Sequence, residues 1–205
     1  MGRAKNPDAV GARFIYTGSD RFDDLLEGVT HGSRVLVSGE PATGKSTLLT
    51  EMAASYVAHV HWRVLYVTTD ERVEHVAARY ERLGGLAGEG FTALGTRDVA
   101  AIAGEVRRLA PRWLVIDHAL PASDLKAIDW IIKRTRRCCS PFLMTTFVVT
   151  PRDLARGGKL AEWSDAWLHV DRNMERVVVT SRKKARGDNL PRHRFALGRD
   201  GLVAT

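Results

Sequence analysis

Cysteine is scarce in this chain of 205 residues: there are two, side by side at Cys138 and Cys139. Neighbouring cysteines rarely bridge each other, and no C-x-x-C pair is present, which excludes a disulfide framework and a zinc site built on such a pair. The two read as small apolar side chains near a helix end, and their use fits a reducing, cytoplasmic setting. Long apolar runs are missing as well. The longest uncharged run, 138–151, is too short for a membrane helix and contains Pro141 and Pro151. The opening Met1-Gly2-Arg3-Ala4-Lys5-Asn6-Pro7-Asp8 lacks the apolar centre of a signal peptide. Asn6 stands where N-myristoylation wants Ser or Thr. No internal repeat, low-complexity segment or linker interrupts the chain. These absences lead to the expectation of one soluble domain with no membrane contact.

What is present is a globular composition with a basic excess. Hydrophobic residues make up 44% and charged residues 27%, the balance of a soluble folded protein. Thirty-one Lys and Arg stand against 24 Asp and Glu, a net charge of +7. That excess favours a polyanionic partner; a basic solvated surface gives the same number.

Apolar spacing then orders the chain. Residues 1–15 read as a flexible basic arm, and 16–205 as the domain. Phe22, Leu25 and Leu26 share one face of a short helix after Thr17-Gly18-Ser19-Asp20. Arg34–Ser38 predicts a buried strand, with a helix running from the following loop to about Val60. Arg63–Thr68 predicts a second strand and Arg72–Leu83 a helix. A weak strand at Phe91–Leu94, a helix at Asp98–Leu109 and a strand at Trp113–Asp117 follow. A helix from Pro121 and Ser123 precedes a strand at Phe142–Val148. The end is strand-rich: Ala166–Val170, Arg176–Ser181, Arg192–Leu197 and a last piece at Gly201-Leu202. Strands alternating with helices, then a run of strands, predict an α/β fold with a mainly parallel sheet between helices and an antiparallel extension at the C-terminal end.

One stretch carries the chemistry. Gly39-Glu40-Pro41-Ala42-Thr43-Gly44-Lys45-Ser46-Thr47 reads G-x-x-x-x-G-K-[ST], the phosphate-binding loop of nucleoside triphosphatases. It follows a strand and opens a helix, so free N–H groups and the positive end of the helix dipole face an anion. These nine residues are the candidate cradle for ATP. Lys45 is placed to reach the β- and γ-phosphates, and the Ser46 hydroxyl to hold Mg²⁺.

Hydrolysis also needs a carboxylate on the Mg²⁺ side and a group that orients water. Asp117, ending an apolar strand, fits the first role. Asp70 and Glu71 stand at the carboxyl end of the strand after the P-loop helix, the ligand side of a parallel sheet. Either is a candidate general base; capping of the next helix is the alternative for both. Thr145 and Thr146 lie in an apolar strand aimed at the γ-phosphate, as nucleotide sensors or as satisfied core hydroxyls.

The order of these parts resembles the ATPase core of the RecA superfamily, and most its RadA and KaiC branches. Thr17-Gly18 with Phe22-Asp23-Asp24-Leu25-Leu26, then Gly32-Ser33 and the P-loop, resembles the lead-in of both. Leu65–Glu71 is similar to the segment where those families carry a paired Glu-Glu, with Asp70 in place of the first. Met144-Thr145-Thr146 is similar to the KaiC sensor strand. Glu162–Leu168 matches the approach to a later strand, and Lys184-Ala185-Arg186-Gly187 is similar to the K-x-R-G of KaiC. The likeness covers about residues 16 to 203. His118 departs from RadA, which has Ser there, and the flanking modules of RadA and the second ATPase copy of KaiC have no counterpart, so a bare core is expected.

The resemblance implies an ATPase that turns ATP and water into ADP and phosphate with Mg²⁺, acting as a hexameric ring or a filament with nucleotide between subunits. Lys184 and Arg186 are then candidates to reach a neighbour's γ-phosphate; the alternatives are a solvated strand end or a DNA-facing patch. The loop after Thr146 is one of those that meet nucleic acid in RecA-like proteins. Here it carries Arg152, Arg156 and Lys159 with Gly157 and Gly158 and no aromatic, a composition for binding single-stranded or branched DNA without sequence preference. A DNA-stimulated ATPase of recombination, repair or replication is the leading expectation. A KaiC-like signalling ATPase without DNA, or a nuclease or helicase-like protein acting on particular DNA structures, is the alternative.

Overall fold

The computed structural model describes residues 17–26, 29, 32–86, 88, 90–117, 130, 133, 144–150, 160–174, 176–183, 192–198 and 201–204. Nine strands form one sheet in the order β3-β2-β4-β5-β1-β6-β7-β8-β9. They are β1 (Arg34–Ser38), β2 (Val64–Thr68), β3 (Phe91–Gly95), β4 (Trp113–Asp117), β5 (Met144–Val149), β6 (Ala166–Asn173), β7 (Arg176–Lys183), β8 (Arg192–Gly198) and β9 (Gly201–Ala204). The first six in sequence pair in parallel; β6 through β9 pair antiparallel. The predicted parallel sheet with an antiparallel end is therefore the observed one. The strands run a few residues longer at the C-terminal end than the sequence pattern suggests, β6 to Asn173 and β7 to Lys183.

The helices bounded within the described residues are α1 (Asp20–Leu25), α2 (Lys45–Val60), α3 (Val73–Arg82), α4 (Val99–Leu109) and α5 (Leu160–Trp163). Strand alternation divides their partners. Val35, Val37, Val64, Tyr66, Trp113 and Val115 pack with α1 and α2 on one face of the sheet. Leu36, Leu65, Val67, Leu114 and Ile116 pack with Ile102, Ala103 and Val106 of α4 on the other. Strands covered on both faces read as continuous apolar runs, as these do.

Helix α2 is the centre of the packing. Leu48, Leu49, Met52, Ala53 and Tyr56 are all no more than 1% exposed, which is why its sequence shows no polar stripe of the usual width. Val177, Val179 and Phe195 of the antiparallel strands join the same core, so the C-terminal extension closes over the P-loop helix. Thr17 braces the lead-in. Its N–H and hydroxyl both donate to Asp23 Oδ1, at 2.5 and 2.9 Å, and its carbonyl accepts from the Ser55 hydroxyl of α2. At the start of β1, Asp165 accepts from the Arg34 backbone N–H at 2.8 Å and from its guanidinium, while the Arg34 guanidinium lies 4.7 Å from the centre of the Trp163 ring. These contacts, 131 residues apart in sequence, set β6 beside β1 in register.

Candidate nucleotide-binding site

The P-loop joins β1 to α2 at the carboxyl edge of the parallel strands. Gly39 leaves no room for a side chain: a Cβ there would stand 2.2 Å from the Val170 carbonyl oxygen. Gly44 is the N-cap of α2 at φ +98, a left-handed conformation suited to glycine. The Thr43 hydroxyl donates to the Glu40 carbonyl at 2.9 Å and tightens the turn. Lys45 is 5% exposed. Its ammonium donates to the Gly39 and Glu40 carbonyls at 2.9 and 2.7 Å. Burial draws its pKa below the ordinary lysine value, against the pull of Asp117 and Glu40, which favour the charged form.

A cleft of about 280 Å³ opens on this loop. Its lining is Pro41, Ala42, Gly44, Lys45, Ser46, Thr47, Arg79 and Arg172: three cations, two hydroxyls and no carboxylate. At the N-terminus of a 16-residue helix, that is the chemistry of a polyanion site. Arg172 donates from Nη1 to the Ala42 carbonyl and from Nε to the Met174 carbonyl, so it lies along the rim of the loop.

Asp117 ends β4 on the α2 face. Ile116, Phe147 and Leu36 share one row of the sheet, so Asp117 stands one residue further along, with β5 between it and the strand that enters the P-loop. It is 2% exposed and accepts a hydrogen bond from the Tyr66 hydroxyl at 2.5 Å on Oδ2. Burial first, and then the Asp117 charge, raise the Tyr66 pKa well above its usual value, so this phenol stays a donor. The Ser46 hydroxyl and the Asp117 carboxylate are the groups here that could hold Mg²⁺, a cation bound by oxygen ligands and completed by phosphate and water. No group of three or more His, Cys, Asp or Glu side chains that could cage a metal occurs among the described residues.

The candidate bases separate. Asp70 is half-exposed and pairs with Arg97 at 2.5 Å. Glu71 pairs with Arg79, one of the two arginines of the cleft. The Thr68 hydroxyl fixes the turn that presents Glu71, accepting from its N–H and donating to its carbonyl at 3.0 Å each. Neither carboxylate caps α3, whose N-cap is Arg72 with no side-chain hydrogen bond. Thr146 lies in the row of Val35 and Val115, three residues before β5 ends. Arg152, Arg156, Lys159, Lys184 and Arg186 lie outside the described residues, as does the 1–15 arm.

Sequence reasoning passes over Arg79 and Arg172. Arg79 borders the apolar stripe of α3, between the buried Val76 and Tyr80, and an arginine there lays its stem along apolar surface, which leaves the reach of its head to the packing. Arg172 gives no comparable signal, because it lies beyond the apolar part of β6. A Ser–His–Asp grouping at the same sheet edge has another role. Ser38 Oγ is 2.8 Å from His169 Nδ1, and His169 Nε2 is 3.1 Å from Asp171. Ser38 is fully buried and already accepts from Trp167 Nε1 at 2.7 Å, so the group fastens β1 to β6 below the P-loop.

A family model described as an AAA domain matches residues 3–136. The chain belongs to that family. It is a P-loop ATPase core of the RecA superfamily. It is 27% identical over 157 residues to the DNA repair protein RadA of Streptococcus pyogenes serotype M6, a match covering 72% of this chain and 34% of that protein. To the DNA repair protein RadA of Streptococcus pneumoniae it is 36% identical over 123 residues, 58% of this chain and 29% of that protein. The chain thus spans about a third of the length of these relatives. Two solved structures share the fold over nearly all of both chains. The flagellar accessory protein FlaH of Methanocaldococcus jannaschii superposes with a TM-score of 0.74 at 16% identity, covering 95% of this chain and 98% of that one. A KaiC-like protein of Pyrococcus horikoshii does so at 0.68 and 21%, covering 94% and 99%. No helix among the described residues of this RecA-type core is long and apolar enough to cross a membrane.

Proposed function

We propose that this protein binds and hydrolyses ATP at the P-loop cleft and acts as an oligomeric, DNA-stimulated ATPase of recombination, repair or replication. The observation that carries the nucleotide part is the cleft lining, with three cations and two hydroxyls at a helix N-terminus and no carboxylate. Lys45 binds the β- and γ-phosphates, and the backbone of Gly39–Thr47 wraps them. Ser46 and Asp117 would hold Mg²⁺, which supplies charge neutralisation on the phosphates when bound. Glu71 orients the attacking water and takes its proton. Asp70, tied to Arg97 at the surface, is the weaker candidate.

The DNA part is supported by the net charge of +7, by Arg152, Arg156 and Lys159 in one Gly-containing loop, and by likeness to proteins named for DNA repair. Turnover is expected to rise with single-stranded or forked DNA. Replacing Arg152 and Lys159 by Ala should weaken DNA binding alike across sequences. It should also flatten the dependence of log affinity on log salt, by roughly one unit for each phosphate no longer neutralised. ATP turnover unchanged by any DNA, with no measurable DNA binding, would favour a second reading: a KaiC-like ATPase that switches a protein partner. The fold behind that reading is shared with a KaiC-like protein over 94% of this chain and 99% of that one.

In the oligomer, Lys184 and Arg186 would reach the nucleotide of a neighbouring subunit. Arg186→Ala is then inactive yet binds ATP, and mixing it with Lys45→Ala restores turnover without DNA, since one mixed interface pairs an intact P-loop with an intact arginine. Such an arginine can contribute about 10³-fold or more, so a minority of repaired interfaces is visible. Activity that stays at the average of two dead proteins at every ratio, in oligomers shown by light scattering to be mixed, rejects the arrangement.

A further inference from the structure

The surroundings of Arg79 do not account for it as a structural residue. Its side chain, 15% exposed, projects from α3 and lines the phosphate cleft beside Lys45 and Ser46. Its Nη2 donates to Glu71 Oε1. Its Nη1 is enclosed and has no hydrogen-bond partner among the described residues. A guanidinium offers five N–H donors in a fork that matches a carboxylate through two parallel bonds. An arginine kept only to fasten α3 to the turn after β2 would use that fork in full, because a buried donor left unmade is costly. Arg79 instead meets Glu71 through Nη2 and leaves Nη1 without a partner among the described residues, at the edge of a polyanion site.

The chemistry of the site says what that donor suits. The cleft lining contains cations and no carboxylate, and Glu71 is not part of it. Arg79 is the link between the two. A terminal phosphate carries more charge and more acceptor oxygens than a carboxylate, and arginine binds it by the same fork. On the reading of the cleft as an ATP site, on which this inference rests, we infer that Arg79 reads the terminal phosphate within its own subunit and couples it to Glu71. With a triphosphate in the cleft the guanidinium turns to the γ-phosphate and releases Glu71 to orient water. With a diphosphate it keeps Glu71 paired. Arg79 thereby makes the base available only when there is a bond to cleave.

The test is an equilibrium titration, with Mg²⁺, of a non-hydrolysable ATP analogue and of ADP into the full chain and its Arg79→Gln, Arg79→Lys, Glu71→Gln and Lys45→Ala variants. Arg79→Gln should lose roughly 10- to 100-fold in affinity for the triphosphate, the worth of one charged hydrogen bond, while ADP affinity changes by less than about threefold. Arg79→Lys keeps the charge without the fork and should fall between. Glu71→Gln loosens the ion pair but keeps the arginine, so triphosphate affinity should hold or rise. A purely structural pair predicts that Arg79→Gln and Glu71→Gln lower the melting temperature together and leave the triphosphate-to-diphosphate ratio of wild type; that result overturns the inference. Should Arg79→Gln fail to fold, the ratio in Arg79→Lys decides, and a wild-type ratio there overturns it as well. Lys45→Ala separates the two levels. If it binds both nucleotides as wild type does, the P-loop reading itself fails; if it loses them while the Arg79 variants keep the wild-type ratio, only the role of Arg79 fails.

Discussion

Lys45→Ala is expected to bring ATP turnover down by at least about 10²- to 10³-fold, the scale of removing one preorganised charged donor from a transition state. Lys45→Ala removes the charge and the two bonds from its ammonium to the Gly39 and Glu40 carbonyls, while Gly39 packed against β6 and the Thr43 bond to Glu40 still hold the cradle. Folding should survive. Burial already disfavours the Lys45 ammonium, so the desolvation cost relieved by losing it offsets the lost bonds to the Gly39 and Glu40 carbonyls and the lost attraction to Asp117 and Glu40. Melting curves of the variant and wild type should therefore lie within a few degrees, roughly the shift expected of a change near 1 kcal/mol in a chain this long. Turnover within a few-fold of wild type would mean that the cleft is misassigned.

The second large effect separates two adjacent carboxylates. Glu71→Gln should slow turnover by roughly 10²-fold or more, the contribution of a positioned general base, and leave nucleotide binding intact. Asp70→Asn should stay within a few-fold of wild type. The difference follows from geometry. Glu71 is bracketed by the Thr68 hydroxyl and paired with an arginine of the cleft. Asp70 points to Arg97, whose side chain is 71% exposed; an exposed pair of this kind is worth little. A steady-state rate for each variant at saturating ATP decides. A larger loss in Asp70→Asn would move the base by one residue.

Much of this site is legible in the sequence, because its signals are local. Strand, glycine loop and helix start fall in one stretch from Arg34 to Thr47, and each is written in its own residues. The carboxylate of Asp117 is legible as well, since a short apolar run ending in Asp places it at a strand end. Strand order is another matter. That β5 enters between β4 and β1, and that β7 to β9 close over α2, depends on contacts over a hundred residues apart, such as Asp165 with Arg34, which leave no local period. The same holds for Arg79. Helical spacing marks Val76 and Tyr80 as buried, but only the packed sheet shows that the residue between them reaches the P-loop. The choice between Asp70 and Glu71 is open in the sequence because consecutive residues at a turn have no fixed direction. The Thr68 hydroxyl, Arg79 of α3 and Arg97 of the connection between β3 and α4 supply the direction of each side chain.

The most direct measurement is phosphate release from ATP by the purified wild-type protein, with Mg²⁺ and with a chelator, alone and with single-stranded or forked DNA, beside Lys45→Ala under each condition. An ATP site at the P-loop cleft predicts release that requires Mg²⁺, rises with DNA and is absent from Lys45→Ala. Release no faster than that of Lys45→Ala in every condition would contradict it.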